Sequence, residues 1–260
     1  MSNNSQFQHL TAIEWLWNFL FPQNSLKSSK KQLDFLAFGR NYRYYWRSKD
    51  KSKKSEILEE NSEFITQQKY RTYYIPKSDW KYRIIREPCD ILKQIQKWIL
   101  QKILLPYSEW IFSDNCTGFR NWFSIVDNAK HHTSKEVIIK LDISDFFPSI
   151  SQARVYCFSR NNLGLNHQLS SYISWLCSYK NELPQWAPTS PMIANLIGVH
   201  IDNRILKLIE KLNQWNENLK LTYSRYADDM TFSFDDEVLN PNKFINYIQT
   251  IIEWEWFLLK

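Results

Sequence analysis

The spacing of apolar residues changes several times along the chain, and each change marks an element. Residues 10–22 and 31–38 carry apolar side chains at helical intervals and read as short helices. Leu92 to Leu105 repeats the helical pattern, with Pro88 and Pro106 bracketing it. Val137 to Ile143 is a short apolar run of the kind a buried strand makes, and it ends in acidic residues. Ala153 to Asn161 and Gln168 to Tyr179 read as helices. Pro191 then falls in the first turn of a long helix with Ile193, Ile197, Ile201, Ile205, Leu208 and Leu212 along one face. Leu221 to Tyr226 and Met230 to Phe234 alternate around a tight Ala-Asp-Asp centre, which predicts a β-hairpin. Asn242 to Trp254 is the last predicted helix. No repeat or low-complexity linker interrupts this order, so the pattern predicts one continuous α+β unit.

Composition narrows the setting. With 43% hydrophobic and 16% aromatic residues in 260, the chain can bury a substantial core. No run of about 18 uncharged apolar residues occurs. The apolar segment Leu10 to Phe21 lacks the preceding positive charges of a secretory signal, so no membrane partner is expected and the chain reads as cytoplasmic. Cys89, Cys116, Cys157 and Cys177 show no CxxC spacing and no companion histidines, which makes them reduced structural thiols. The net charge of +6 is unevenly spread: Lys and Arg exceed Asp and Glu by 23 to 14 over residues 1–140 and trail 10 to 13 thereafter. A basic half suits a polyanion and an acidic half suits divalent metals. Arg40 to Lys54 interleaves seven Lys/Arg with Tyr42, Tyr44, Tyr45 and Trp46. That mixture fits single-stranded nucleic acid, where rings stack on bases and cations meet phosphates; a solvated loop would have the same look.

The chemistry concentrates in two acidic sites. YADDM, Tyr226 to Met230, sets two adjacent carboxylates at a hairpin tip between apolar strands. Neighbouring like charges raise each other's pKa unless a cation neutralises them, so a divalent metal is the natural occupant. LDISDFFPSI, residues 141–150, supplies Asp142 at the end of a strand that could lie beside the hairpin. Three carboxylates on hard metals can build two octahedral Mg²⁺ sites completed by phosphate oxygens and water. Two such metals about 3.5–4 Å apart activate an attacking hydroxyl and stabilise a leaving pyrophosphate.

With these blocks in view, the chain resembles a reverse transcriptase over roughly residues 70–258, with the family's blocks in their order. The resemblance implies a polymerase right-hand fold, with mostly helical fingers over residues 1–140 and an antiparallel-sheet palm backed by helices over 141–260. It implies that Asp142, Asp228 and Asp229 are catalytic metal ligands, with the Ile143 carbonyl also on a metal. Phe147 matches the aromatic steric gate against a ribose 2′-hydroxyl, and Asp145 and Phe146 the backbone beside the triphosphate. One of the two phenylalanines is expected to pack in the core. In YYIPKSDWKYRIIREP, residues 73–88, Lys77 and Arg83 would hold the incoming dNTP; in LPQWAPTSPMIAN, residues 183–195, Gln185 would border nucleotide and template. CTGFRNWFSIVDNAKHH, residues 116–132, is similar to the segment ending NAxxH, where Asn128 and His132 point to the retron branch and to RNA binding. His132 taken alone reads better as a satisfied structural histidine. The retron resemblance further implies two Mg²⁺ ions, with Mn²⁺ as a substitute, a structured non-coding RNA as template and primer, an RNA–DNA duplex, an effector protein partner and antiphage defence. Other bacterial reverse transcriptases and a non-catalytic RNA-binding palm protein are the alternatives.

Two departures stand out. IIEWEWFLLK at the end resembles a family block cut short, which implies that the thumb is absent. Trp80, Trp122, Trp186 and Trp256 stand where relatives have glycine. The chain has 4 Gly and 12 Trp, against about 18 Gly at average usage. These tryptophans are therefore suspected to be UGA codons of a host that reads UGA as glycine.

Overall fold

The computed structural model describes residue 37 and residues 69–76, 80, 82–235 and 239–260. The helices predicted at 10–22 and 31–38, apart from Ala37, lie outside the described residues, as do the segment 40–54 and Lys77. In chain order the elements are β1 (Tyr70–Pro76), β2 (Tyr82–Pro88), α1 (Asp90–Ile99), α2 (Ile125–Lys130), β3 (Val137–Ser144), α3 (Gln152–Asn161), α4 (His167–Cys177), α5 (Ser190–Trp215), β4 (Thr222–Tyr226), β5 (Asp229–Phe234), α6 (Pro241–Trp254) and β6 (Leu258–Leu259). Helices and antiparallel sheets thus make an α+β chain. It divides into two compact units that interleave in sequence, where the sequence suggested one division at 140: Met1–Leu104 with Ile150–Ser190, and Leu105–Ser149 with Pro191–Lys260.

The first unit joins the β1–β2 hairpin, in register from Tyr70↔Pro88 to Pro76↔Tyr82, to α1, α3 and α4. Helix α1 buries Leu92, Ile95, Trp98 and Ile99, and the backbone continues through a wider π-type turn, Leu100–Leu104. Ser151 and Asn166 cap α3 and α4 by accepting the backbone N–H groups of Arg154 and Leu169. A polar link runs through this core. Gln96 is fully buried, and its Nε2 donates to Tyr70 Oη (2.9 Å) and to the Leu176 carbonyl (2.8 Å), tying hairpin, α1 and α4 together.

The second unit is built on the sheet β4-β5-β3-β6. Side chains alternate across it. Tyr223 and Phe232 face one side, where Phe232 meets Phe244 of α6 at 5.1 Å and Tyr223 donates to Asp202 of α5 at 2.7 Å. Strand β3 corrects its sequence reading, because only Ile143 is buried while Ile138 and Lys140 are exposed. It is covered on one face only, as antiparallel sheets permit. The long helix begins at Ser190 with Pro191 behind it, and Ile193, Ile197, Ile201 and Ile205 are buried. Leu208 and Leu212 are half-buried, and Ile209 takes the core position there. Among the described residues, no helix is long and apolar enough to cross a membrane.

Replacing Gln96 by Ala strands two buried partners without a donor. Chemical denaturation is expected to show a loss of about 2–4 kcal/mol, and a change below about 0.5 kcal/mol would mean that the link contributes little.

Candidate active site

The hairpin β4–β5 closes Tyr226 on Asp229 around the two residues Ala227 and Asp228. Ala227 has φ 60°, the left-handed first position that a two-residue II′-type turn needs. Strand β3 then pairs with β5 in a register that ends at Asp142↔Asp229, and the Ile143 amide donates to the Asp228 carbonyl at 3.1 Å. Asp142, Asp228 and Asp229 are therefore brought to neighbouring backbone positions.

Their electrostatics follow from this. Partial burial, then the carboxylates of Asp229 and Asp142, raise the Asp228 pKa above its ordinary value, and Lys260 pulls the other way. The set is short of positive charge, and its donors are hard oxygens suited to Mg²⁺ or Mn²⁺. The side chains are not drawn to one point: among the described residues, no group of three His, Cys, Asp or Glu stands where it could hold a metal ion together. Asp142 Oδ2 instead meets Lys260 Nζ at 3.3 Å, an exposed pair worth less than about 1 kcal/mol.

Beneath the turn lies a buried polar cluster that the sequence reading missed. Arg225, fully buried on β4, donates from Nε to Asp202 Oδ1 (2.8 Å) and from Nη2 to Asp202 Oδ2 (2.6 Å). Its Nη1 donates to Asn195 Oδ1 (3.1 Å) and to the Ala227 carbonyl (3.0 Å). Burial by itself would lower the Arg225 pKa, but Asp202, Cys116 and Tyr223 together raise it well above its ordinary value, so the guanidinium stays charged. Helix α5 makes room with Gly198, where a Cβ would come within 3.0 Å of Nη2. Gly118 packs against the turn, since a Cβ there would collide with the Ala227 nitrogen. Asn195 Nδ2 donates to the Gly118 carbonyl at 2.6 Å, which locks that segment to α5. The detectable signals were a charge inside an apolar strand and an Asp on the apolar stripe of α5.

Phe146 is buried, 5.6 Å from Phe257, and is the phenylalanine that packs in the core. Phe147 is half-buried, with Phe119 at 6.1 Å, and Asp145 is exposed with φ 47°. Arg83 on β2 is exposed and Gln185 half-buried, both in the first unit. His132 and Asn128, expected to bind RNA, both have partners within the protein. His132 is buried, with Nδ1 on Ser233 Oγ and Nε2 on Ser224 Oγ at 2.7 Å each, so it straddles the two hairpin strands. Asn128 Oδ1 accepts from the Thr117 hydroxyl at 2.8 Å. Asn128 itself is half-buried.

The chain belongs to the reverse transcriptase (RNA-dependent DNA polymerase) family, whose model matches residues 75–255. It is 38% identical over 167 residues to the retron Ec86 reverse transcriptase of Escherichia coli, covering 64% of this chain and 49% of that one. It is 34% identical over 185 residues to the retron Mx162 reverse transcriptase of Myxococcus xanthus, covering 64% and 36%. Against the retron Ec83 reverse transcriptase of Escherichia coli it is 30% identical over 176 residues, covering 64% and 53%. The chain spans about half the length of these relatives or less.

Burial, helped by His131, Lys135 and Lys140, lowers the His132 pKa to about 4 from its ordinary 6.5. The unfolded chain then takes up the proton first as pH falls, so stability is expected to drop between about pH 6.5 and 4, by at most about 1.4 kcal/mol per pH unit. Urea titrations at several pH values check this, and His132→Gln should flatten the slope. Asp202→Ala, which leaves Arg225 buried and uncompensated, is expected to cost about 3–5 kcal/mol in the same assay.

Proposed function

We propose that this chain performs RNA-directed DNA synthesis as a retron-type reverse transcriptase, with Mg²⁺ as cofactor and a structured non-coding RNA as template and primer. The observation that carries the proposal is the β3–β5 register, which sets Asp142 opposite Asp229 with Asp228 at the adjoining turn. The unit holding this sheet is assigned as palm and the unit holding the β1–β2 hairpin as fingers. Cytoplasmic location, antiphage defence and an effector partner belong to the same reading by analogy with retrons.

Asp142, Asp228 and Asp229, with the Ile143 carbonyl, would hold the two divalent ions. When bound, those ions supply a more acidic primer hydroxyl and neutralise charge on the leaving pyrophosphate. The protein does the rest by positioning. Phe147, steadied by Phe119, is assigned to exclude a ribose 2′-hydroxyl, while the backbone of Asp145 and Phe146 lies along the triphosphate. Arg83 and Lys77 are assigned to the dNTP phosphates, where a guanidinium fork offers two parallel hydrogen bonds, and Gln185 to the border of nucleotide and template. A second reading, a palm that binds RNA without catalysis, is favoured by the pairing of Asp142 with Lys260.

Primer extension on an RNA template with Mg²⁺ and dNTPs separates the two. The Asp228→Ala, Asp229→Ala double variant should lose at least about a thousandfold in rate, the equivalent of several kcal/mol of metal-borne stabilisation. Equal incorporation by both proteins would refute the assigned site, and none by the folded parent chain would favour the second reading.

A further inference from the structure

Four tryptophans stand in the left-handed backbone region: Trp80 (φ 62°), Trp122 (φ 71°), Trp186 (φ 77°) and Trp256 (φ 61°). No other tryptophan among the described residues does so. In this region a Cβ crowds the backbone, and glycine alone enters it without strain. Three of the sites have the geometry of turns that require it. Trp256 occupies the C′ position after α6, with its N–H on the Glu253 carbonyl (3.0 Å) and the Phe257 N–H on the Ile252 carbonyl (3.1 Å). That pair of bonds is a Schellman motif, whose C′ residue is usually glycine. Trp122 is the third residue of a turn closed by Phe123 N–H on the Arg120 carbonyl (3.4 Å), where positive φ defines type II. Trp186 has the same place in the turn from Pro184 to Ala187, and Trp80 sits in the loop joining β1 to β2.

Exposure argues the same way. The indoles of Trp80 and Trp122 are 96% and 99% exposed, and those of Trp256 and Trp186 82% and 67%. Strained backbone persists where surrounding contacts over-determine it, and Trp80 and Trp122, almost wholly exposed, bury little surface against any neighbour. By contrast Trp98 is buried within the helix α1. We infer that residues 80, 122, 186 and 256 are glycine in the protein as its host makes it, each encoded by UGA that the host reads as glycine. The consequence for the site is direct. Glycine at 256 turns the chain from α6 into β6, which pairs with β3 beside Asp142, and glycine at 186 removes a large side chain next to Gln185.

The test is the coding DNA, together with peptide mass spectrometry of the protein from its own host. UGA at the four positions, UGG at Trp98, and peptides carrying glycine at the four are expected. UGG at any of the four overturns the inference for that position. UGA at Trp98 as well, with tryptophan-bearing peptides, overturns it altogether. For the recombinant chain, replacing all four by Gly should raise the melting temperature, and a lower or unchanged value would contradict the strain argument.

The Arg225 cluster carries a second inference, which rests on the metal-site reading above. Arg225 grips the Ala227 carbonyl, one residue before Asp228, and is itself held by Asp202 and Asn195 of α5. We propose that Arg225 is a positioning residue that fixes the turn so that Asp228 and Asp229 can share a cation. Mn²⁺ binding, followed by the electron paramagnetic resonance of the free ion, reads this without catalysis. Arg225→Lys, which keeps the charge and loses the fork, should weaken Mn²⁺ binding about tenfold or more. Tyr223→Phe, which removes one bond to Asp202 and leaves the fork intact, should lower the melting temperature with little change in Mn²⁺ affinity. Equal Mn²⁺ affinity in the parent chain and Arg225→Lys overturns the positioning role alone. No Mn²⁺ binding by the parent, or binding that survives Asp228→Ala with Asp229→Ala, overturns the metal-site reading and the positioning role with it.

Discussion

The active-site reading depends on the register of β3 against β5. Side chains alternate along a strand, so a slip of one residue would carry Asp142 to the opposite face and leave Asp229 facing an apolar neighbour. The hairpin that carries Asp228 and Asp229 is held from both sides of the sheet. On one face Phe232 stacks between Tyr223 and Phe244, at 5.0 and 5.1 Å, and cannot move to the solvent face without exposing that core. On the other, His132 bridges Ser224 and Ser233 and ties the two hairpin strands together. Apolar packing and a small polar clasp together hold the hairpin, and its pairing with β3 sets Asp142 opposite Asp229.

A different kind of constraint shapes the turn itself. Two adjacent aspartates at a hairpin tip oppose each other electrostatically, and Ala227 before them is left-handed. The Arg225–Asp202 pair answers this by presenting one fixed hydrogen bond, from Arg225 Nη1 to the Ala227 carbonyl, from inside the protein. Buried ion pairs add little net stability compared with a hydrophobic core of the same shape, so the pair is better understood through the geometry it imposes. Gly118 and Gly198 are the small residues that let two neighbouring segments close on it.

Much of this was legible in the chain before its structure. Period-two alternation around Ala-Asp-Asp marked the hairpin, and Pro191 marked the start of α5 within a residue. The parts that were not legible depend on tertiary contacts. Strand β3 looked buried on composition, but it lies open on one face. The interleaving of the two units, the two-residue β6 and the serine partners of His132 depend on residues distant in sequence. The tryptophans at 80, 122, 186 and 256 lie between these cases. Their places in the family's blocks, with composition in support, raised the suspicion that they replace glycine, and only the backbone showed left-handed geometry at each of the four.

Crystals of the chain soaked in Mn²⁺ would test the central claim most directly through the anomalous signal of the metal. The account predicts density bounded by the carboxylates of Asp142, Asp228 and Asp229, with Asp142 released from Lys260. Fully occupied Mn²⁺ elsewhere, with Asp142 still paired to Lys260, would contradict it.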